Sequence, residues 1–225
     1  MLQARDERTL LRCGTAGAVL FVAVFLVLGS VRSDYDPLRH PVSSLAIGPL
    51  GWAQAVNFCI SGVLVASFAF GARSVLLRLG GNWWIPGLII AIGVGLIGAG
   101  FFTTDPVNGF PPGEVGEITA TGVLHQLFSI GVFLGVPVAS WLQGRLFGST
   151  QHPWWSAYCF ATAVACAAGF VLAVLGFARV PDFEPYAGLF QRIALCVGFG
   201  WLLLLSVFLR SARFSRAFNV RVRTD

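Results

Sequence analysis

The sequence predicts an all-α fold: a polytopic membrane protein built as a bundle of six transmembrane helices, with both termini cytoplasmic. Three observations carry this prediction. Apolar residues make up 56% of the 225-residue chain and charged residues only 11%, against roughly a quarter charged in soluble domains. The apolar residues gather in runs of about twenty, the length that crosses a ~30 Å hydrocarbon core. The fifteen basic residues, all arginine, fall unevenly between alternate connections. Residues 1–225 are expected to form one transmembrane domain, with 1–13 a cytoplasmic segment and 210–225 a basic cytoplasmic tail. Each span must be helical, because lipid offers no partners to open backbone groups.

The first span, Gly14–Val31, is too long for the core of a signal peptide and precedes no A-x-A-like cleavage site, so it is expected to be an uncleaved anchor. The second, Trp52–Ala72, carries Gln54, Asn57 and Ser61 at i, i+3 and i+7, which share one face. The third, Ile85–Thr104, contains "IAIGVGLIGAGF". Its small residues suit close helix packing; no strand precedes them, so they do not form a nucleotide loop. Thr103, Thr104 and Asp105 are expected to close that helix. The fourth, Gly122–Gln143, places His125 and Ser129 as i, i+4 neighbours with Gln126 beside them. Tyr158–Ala178 is the fifth. The sixth, Leu189–Leu209, has Gln191 and Arg192 near its entrance.

Arginine distribution sets the expected orientation. With the N-terminus inside, Arg5, Arg8, Arg12, Arg73, Arg78, Arg145, Arg210, Arg213, Arg216, Arg221 and Arg223 are cytoplasmic, and only Arg32, Arg39, Arg179 and Arg192 are outside. The acids divide the other way: Asp6, Glu7 and Asp225 lie inside, and Asp34, Asp36, Asp105, Glu114, Glu117, Asp182 and Glu184 outside. Trp83, Trp84, Trp154 and Trp155 read as an aromatic belt on the cytoplasmic side. A plasma-membrane location with an extracytoplasmic polar site follows as the expectation. The tail "RSARFSRAFNVRVRTD" follows a span directly, so its arginines are expected to pin topology and favour anionic headgroups. A basic patch without a motif is weak support for nucleic-acid binding, and none is expected. The five cysteines lie in or at the ends of spans, with no C-x-x-C, and are expected to pack as small hydrophobes.

The three outer connections hold nearly all the chemical variety: "RSDYDPLRHPVSSLAIGPLG", "DPVNGFPPGEVGEITAT" and "RVPDFEPYAG". Polar groups in hydrocarbon are costly unless they face a partner or a wet cavity. The expected arrangement is therefore a polar cavity, open to the outer side and capped by these loops. Several constellations compete for its chemistry. His40 and His125 with Asp36 or Asp105 could ligate a divalent metal such as zinc, which would lower the pKa of a bound water. The competing reading is that each histidine orders a loop. Ser43 or Ser44 with His125 and Asp105 could form a nucleophilic triad, against a reading in which "HPVSSL" is a turn whose hydroxyls cap the second helix. Arg192 with Asp36 or Asp105, and Arg39 with Asp182 or Glu184, could be ion pairs fastening loops to the bundle. Arg39 and Arg192 could equally clamp an anion through bidentate geometry.

Four segments, "YDPLRHPVSSL", "FFTTDP", "GVLHQLFS" and "GLFQRI", occur in this order along most of the chain. Through them the chain resembles a family of multi-pass prokaryotic membrane proteins catalogued as domain of unknown function 998. Carried over position by position, the resemblance points to Asp36, His40, Ser43, Asp105, His125 and Arg192. It implies no activity.

The functional expectation is an outward-facing site that binds, and hydrolyses or transfers, a lipid or lipid-linked anionic substrate. In it His40, His125, Asp36, Asp105 and Ser43 carry the chemistry. Arg39, Arg192, Asn57, Gln54, Gln126 and Tyr186 bind the ligand, and His40, His125 and Asp105 are the metal candidates. The alternatives are a small proton-coupled transporter using Asp105 and His125 as a relay, and an accessory subunit whose salt bridges are structural. The expected partners are membrane lipids. The sequence does not fix an oligomeric state.

Overall fold

Among the described residues six α-helices follow one another around a closed ring: α1 Leu2–Val31, α2 Gly51–Arg78, α3 Trp84–Phe101, α4 Ala120–Gly148, α5 Pro153–Phe177 and α6 Ala187–Val222. In this computed structural model each helix packs on the next, and α6 returns to α1. Residues 2–114, 116–148 and 152–222 are described, with side chains within 6–114, 116–148 and 152–211. All six helices are long and apolar enough to cross a membrane. No β-strand occurs among the described residues.

The helices outrun the expected spans at the end that carries the termini. α2 continues past Ala72 to Arg78, α4 past Gln143 to Gly148, and α5 starts at Pro153 rather than Tyr158. Proline suits the first helical turn, because its missing N–H would be unsatisfied there anyway. The expected basic tail continues the backbone of α6 as far as Val222. The side chains of Arg5, Arg213, Arg216 and Arg221, and residues Arg223 and Asp225, lie outside the described ones. At the other end α3 is shorter than expected. It stops at Phe101, and Phe102 is already extended (φ −104°, ψ 120°), so Thr103, Thr104 and Asp105 belong to the loop.

Two kinds of packing hold the ring. α2 and α3 meet at glycines: a Cβ on Gly62 would stand 2.6 Å from the Gly93 carbonyl oxygen, and one on Gly93 would stand 2.7 Å from that of Gly62. The small-residue stripe of α3 thus lets two backbones touch. Where the ring closes, Phe21 of α1 stacks on Phe199 of α6 at 4.3 Å and meets Phe58 of α2 at 5.7 Å. Beside them the Asn57 amide donates to the Phe21 carbonyl (3.2 Å) and to Gln54 Oε1 (3.3 Å), and the Ser61 hydroxyl donates to Asn57 Oδ1 (3.2 Å). The polar face of α2 is therefore a buried strut against α1.

At the terminal end Arg78 pairs with Glu7 (2.7 Å), and the Arg73 guanidinium lies 3.6 Å over the Trp83 ring. Trp83, Trp84 and Trp154 are exposed there as a belt requires. Trp155 departs from that expectation and stacks inward on Phe208 at 5.0 Å.

Candidate functional site

The α1–α2, α3–α4 and α5–α6 connections meet at one end of the ring, and their polar side chains mostly bind backbone groups of these same connections. The first connection turns at Asp36–His40, where the His40 N–H donates to the Asp36 carbonyl (2.8 Å). The Asp36 N–H donates to His40 Nδ1 at 2.9 Å. Nδ1 is therefore the acceptor nitrogen, and the ring proton sits on Nε2. Asp36 spends Oδ1 on the Leu38 N–H at 2.9 Å. Burial pushes the His40 imidazole below its ordinary pKa; the Asp36 charge opposes that shift. His40 packs 5.2 Å from Phe110, which reaches in from the α3–α4 connection, and Phe110 meets Tyr35 edge-on at 5.4 Å.

Arg192 locks this loop onto α6. Its guanidinium donates to the carbonyls of Pro37 (2.6 Å), His40 (2.9 Å) and Gly188 (3.0 Å), and to the Tyr35 hydroxyl. Tyr35 passes the interaction on, donating to the Pro41 or His40 carbonyl at 2.9 and 3.1 Å. Burial holds the Tyr35 phenol above its ordinary pKa even against the neighbouring Arg192 charge, so it stays protonated. Expected carboxylate partners for Arg192 are replaced by neutral oxygens: Asp36 and Asp105 are both engaged elsewhere. Two backbone bonds complete the dock, from the Leu189 N–H to the Leu38 carbonyl (2.9 Å) and from the Val42 N–H to Gln191 Oε1 (2.7 Å). The first of these satisfies an orphan donor of the opening turn of α6. Gly188 is needed at this approach, since a Cβ there would stand 2.7 Å from the Pro37 carbonyl oxygen.

The other charged groups are similarly placed. Arg39 pairs with Glu184 at 2.6 Å, as one of the expected loop latches, in a largely exposed setting. Arg32 donates to the carbonyls of Leu45 (3.1 Å) and Ile47. Asp105 supports the start of α4: Thr119 donates to it through its hydroxyl (2.6 Å) and its N–H (3.2 Å), and the Thr119 hydroxyl in turn accepts the Gly122 N–H at 3.0 Å. His125 sits inside α4, and its Nδ1 lies 3.0 Å from the Ala99 carbonyl and 2.8 Å from that of Phe102. Carbonyls only accept, so Nδ1 carries the proton and Nε2 keeps its lone pair. His125 thereby caps the last turn of α3.

The structure does not gather His40, His125 and Asp105 into one centre. Each is held by its own local partners, and no group of three His, Cys, Asp or Glu side chains suited to a metal occurs among the described residues. Asp105 does not orient His125, because backbone carbonyls occupy Nδ1; the triad as expected is not assembled. The cap expected from "HPVSSL" is also absent. Val42–Ala46 forms a 3₁₀ turn, α2 starts after Leu50 with no side-chain cap bond, and the Ser44 hydroxyl is buried without a partner among the described residues. Tyr186 is half exposed beside Phe190.

A cavity of about 390 Å³ lies behind the docked loop. Ile130 and Phe133 of α4 and Phe170, Ala173, Val174 and Phe177 of α5 form its apolar wall. Pro41, Ser43, Thr104, Gln126, Ser129 and Gln191 surround its loop end. Ile130 and Val174 are also about half exposed on the outer surface of the ring, so the cavity opens through the α4–α5 seam. Ser43, Gln126, Ser129, Phe133 and Gln191 are shared with a smaller chamber of about 50 Å³, which His125, Phe58 and Leu96 close. Of the expected site residues, Ser43, Gln126 and His125 line this space; Asp36, Arg39, His40, Gln54, Asn57, Asp105, Tyr186 and Arg192 do not. Tyr35, Phe110 and the full role of Gln191 were missed from sequence. Only the position of Tyr35 inside "YDPLRHPVSSL" and of Gln191 inside "GLFQRI" could have signalled those two; Phe110 lies in none of the four segments.

Residues 15–208 match the sequence profile of a family described as a protein of unknown function (DUF998). No curated protein and no solved structure matches the chain.

Proposed function

This chain belongs to the DUF998 family of multi-pass membrane proteins, and we propose that it binds a lipid or lipid-linked molecule in the cleft between α4 and α5. The observation that carries this reading is the shape and lining of the larger cavity. It is mostly apolar, opens sideways where Ile130 and Val174 reach the surface, and becomes polar only at the loop end. Its 390 Å³ falls in the range of small-molecule sites, which combine an apolar lining with a few convergent polar groups. From Gln126 to Phe133 it follows α4 for about 10 Å, at 1.5 Å per residue. An acyl or isoprenoid chain would lie along α5, with its polar end under the docked loop. By the arginine asymmetry, that end faces the extracytoplasmic side.

Support for a proton-coupled transporter is weaker. A separate void of about 10 Å³ beyond the smaller chamber is bounded by Val132, Val136, Cys166, Ala194, Leu195 and Phe199, a lining without a charged group. Hydrolysis or transfer would require a nucleophile beside His125, and Ser43 and Ser129 are the hydroxyl residues that share its chamber.

The test is photocrosslinking with a lipid that carries a diazirine in its chain, on purified protein in nanodiscs. Labelled peptides should come from the facing surfaces of α4 and α5, and Val174→Trp, which fills the opening from a half-exposed position, should lower labelling several-fold without changing the unfolding temperature. Labelling spread evenly over all lipid-facing helices, and indifferent to Val174→Trp, would refute the reading.

A further inference from the structure

We infer that the polar end of the ligand is an uncharged hydroxyl, held between His125 Nε2 as acceptor and the Gln191 amide as donor. This rests on the lipid reading above and adds the chemistry of the headgroup. The first support is the fate of the charges. Arg32, Arg39 and Arg192 donate to loop carbonyls or to Glu184, and Asp36 and Asp105 accept from loop N–H groups and Thr119. None of these residues lines either chamber. A phosphate or carboxylate brought here would meet no cation, and an isolated ion in such a setting is strongly disfavoured.

The second support is a complementary pair of orphan groups. His125 is 2% exposed and Gln191 8%. The two carbonyls at Nδ1 fix the His125 tautomer, which leaves Nε2 a pure acceptor with no hydrogen bond from any described residue. The Val42 N–H fixes the amide of Gln191 by occupying its oxygen, which leaves the NH₂ group as the free end. Both residues line the 50 Å³ chamber, which has room for a hydroxymethyl group but not for a bulky head. A hydroxyl donates once and accepts twice, so it answers both groups at once. A methyl ether lacks the donor, and the ester oxygen of a wax or triglyceride lacks it too. The ligand class is therefore a long-chain or polyisoprenoid alcohol, or another lipid ending in a free hydroxyl.

The experiment uses three probes with the same diazirine-bearing chain, ending in a hydroxyl, a methyl ether or a monophosphate, against the full-length protein in nanodiscs. Two variants accompany it. His125→Asn can keep an N–H directed at the Ala99 and Phe102 carbonyls while removing the Nε2 acceptor. Gln191→Met removes the free donor. The alcohol should label the α4–α5 cleft about tenfold more efficiently than the ether, the scale of one hydrogen bond, and the phosphate should be no better than the ether. His125→Asn should erase the preference for alcohol over ether while leaving ether labelling unchanged, a readout that a merely misfolded variant would not give. Equal labelling by all three probes, or a preference for the phosphate, would overturn the inference and leave the lipid reading standing. Competition by butanol as strong as by the long-chain alcohol would overturn the lipid-alcohol assignment in favour of a soluble one. No labelling of the cleft by any probe would overturn the lipid reading itself, and this inference with it.

Discussion

Arg192→Met tests whether the docked loop is fastened by carbonyl acceptance, as the geometry requires. The substitution keeps the aliphatic stem and removes the guanidinium that reaches the Pro37, His40 and Gly188 carbonyls and the Tyr35 hydroxyl. Two of these four partners lose little. The Gly188 carbonyl lies in the first turn of α6, and Tyr35 still donates to the Pro41 or His40 carbonyl. The other two carbonyls lose bonds to a charged donor, each worth about 1.5–3 kcal/mol. Pro37 is exposed, so water recovers part of its share, and removing a buried charge returns some desolvation energy. The net loss is about 2–3 kcal/mol, concentrated in the loop. Through local opening, that corresponds to roughly 30- to 150-fold faster amide exchange. The assay is hydrogen exchange of the peptide covering 35–45, with α2 peptides as internal control. Arg192→Lys should not rescue the loop, because one ammonium cannot span the diverging carbonyls that the guanidinium fork reaches. Exchange within threefold of wild type in Arg192→Met, or full rescue by lysine, would refute the reasoning.

Two further outcomes follow from the loops. His40 is neutral in the fold, with its pKa held below the ordinary value by burial and Nδ1 committed to the Asp36 N–H. A depressed histidine favours the unfolded state as soon as that state binds a proton, so stability should be full above about pH 6.5 and fall as pH drops below it. Unfolding temperature measured across that window should show the slope in wild type and a shallower one in His40→Asn; a wild-type profile rising toward acid would contradict the assignment. Thr119→Ala removes the N-cap of α4 and should cost about 1 kcal/mol. Asp105→Ala should cost a similar amount, and the double variant should cost little more than either single one, because the two residues share one hydrogen-bonded unit. Additive losses in denaturant titrations would separate Asp105 from the cap.

What the sequence could and could not disclose divides along one physical line. The spans, the ring of small residues on α3 and the gathering of polar loops at one end follow from hydropathy and periodicity, and the structure has all of them. The pairing of His125 with Ser129 along α4 was likewise visible as i, i+4 spacing, and both residues line the smaller chamber. The partners of Arg192 and His125 were not visible, because those partners are backbone carbonyls. Every residue has a carbonyl, so no residue type marks the ones that accept. Sequence reasoning reaches instead for carboxylates, the acceptors it can see, and so it placed Asp36 and Asp105 beside Arg192.

That same difference decides what the site can hold. Had Arg192 and Arg39 been free, the loop end of the cavity would have offered two bidentate cations, and an anionic headgroup would have been the natural occupant. The loop needs Arg192 because its chain from Pro37 to Pro41 presents carbonyls toward α6 with too few N–H groups to meet them, two of those residues being proline. An arginine supplies several donors from one side chain and closes that deficit. Once it has done so, the polar groups left facing the chambers are a serine pair, a threonine, two glutamines and a histidine with one free lone pair. The neutrality of the site is thus a consequence of how the proline-bearing loop is fastened, and releasing the loop would change both together.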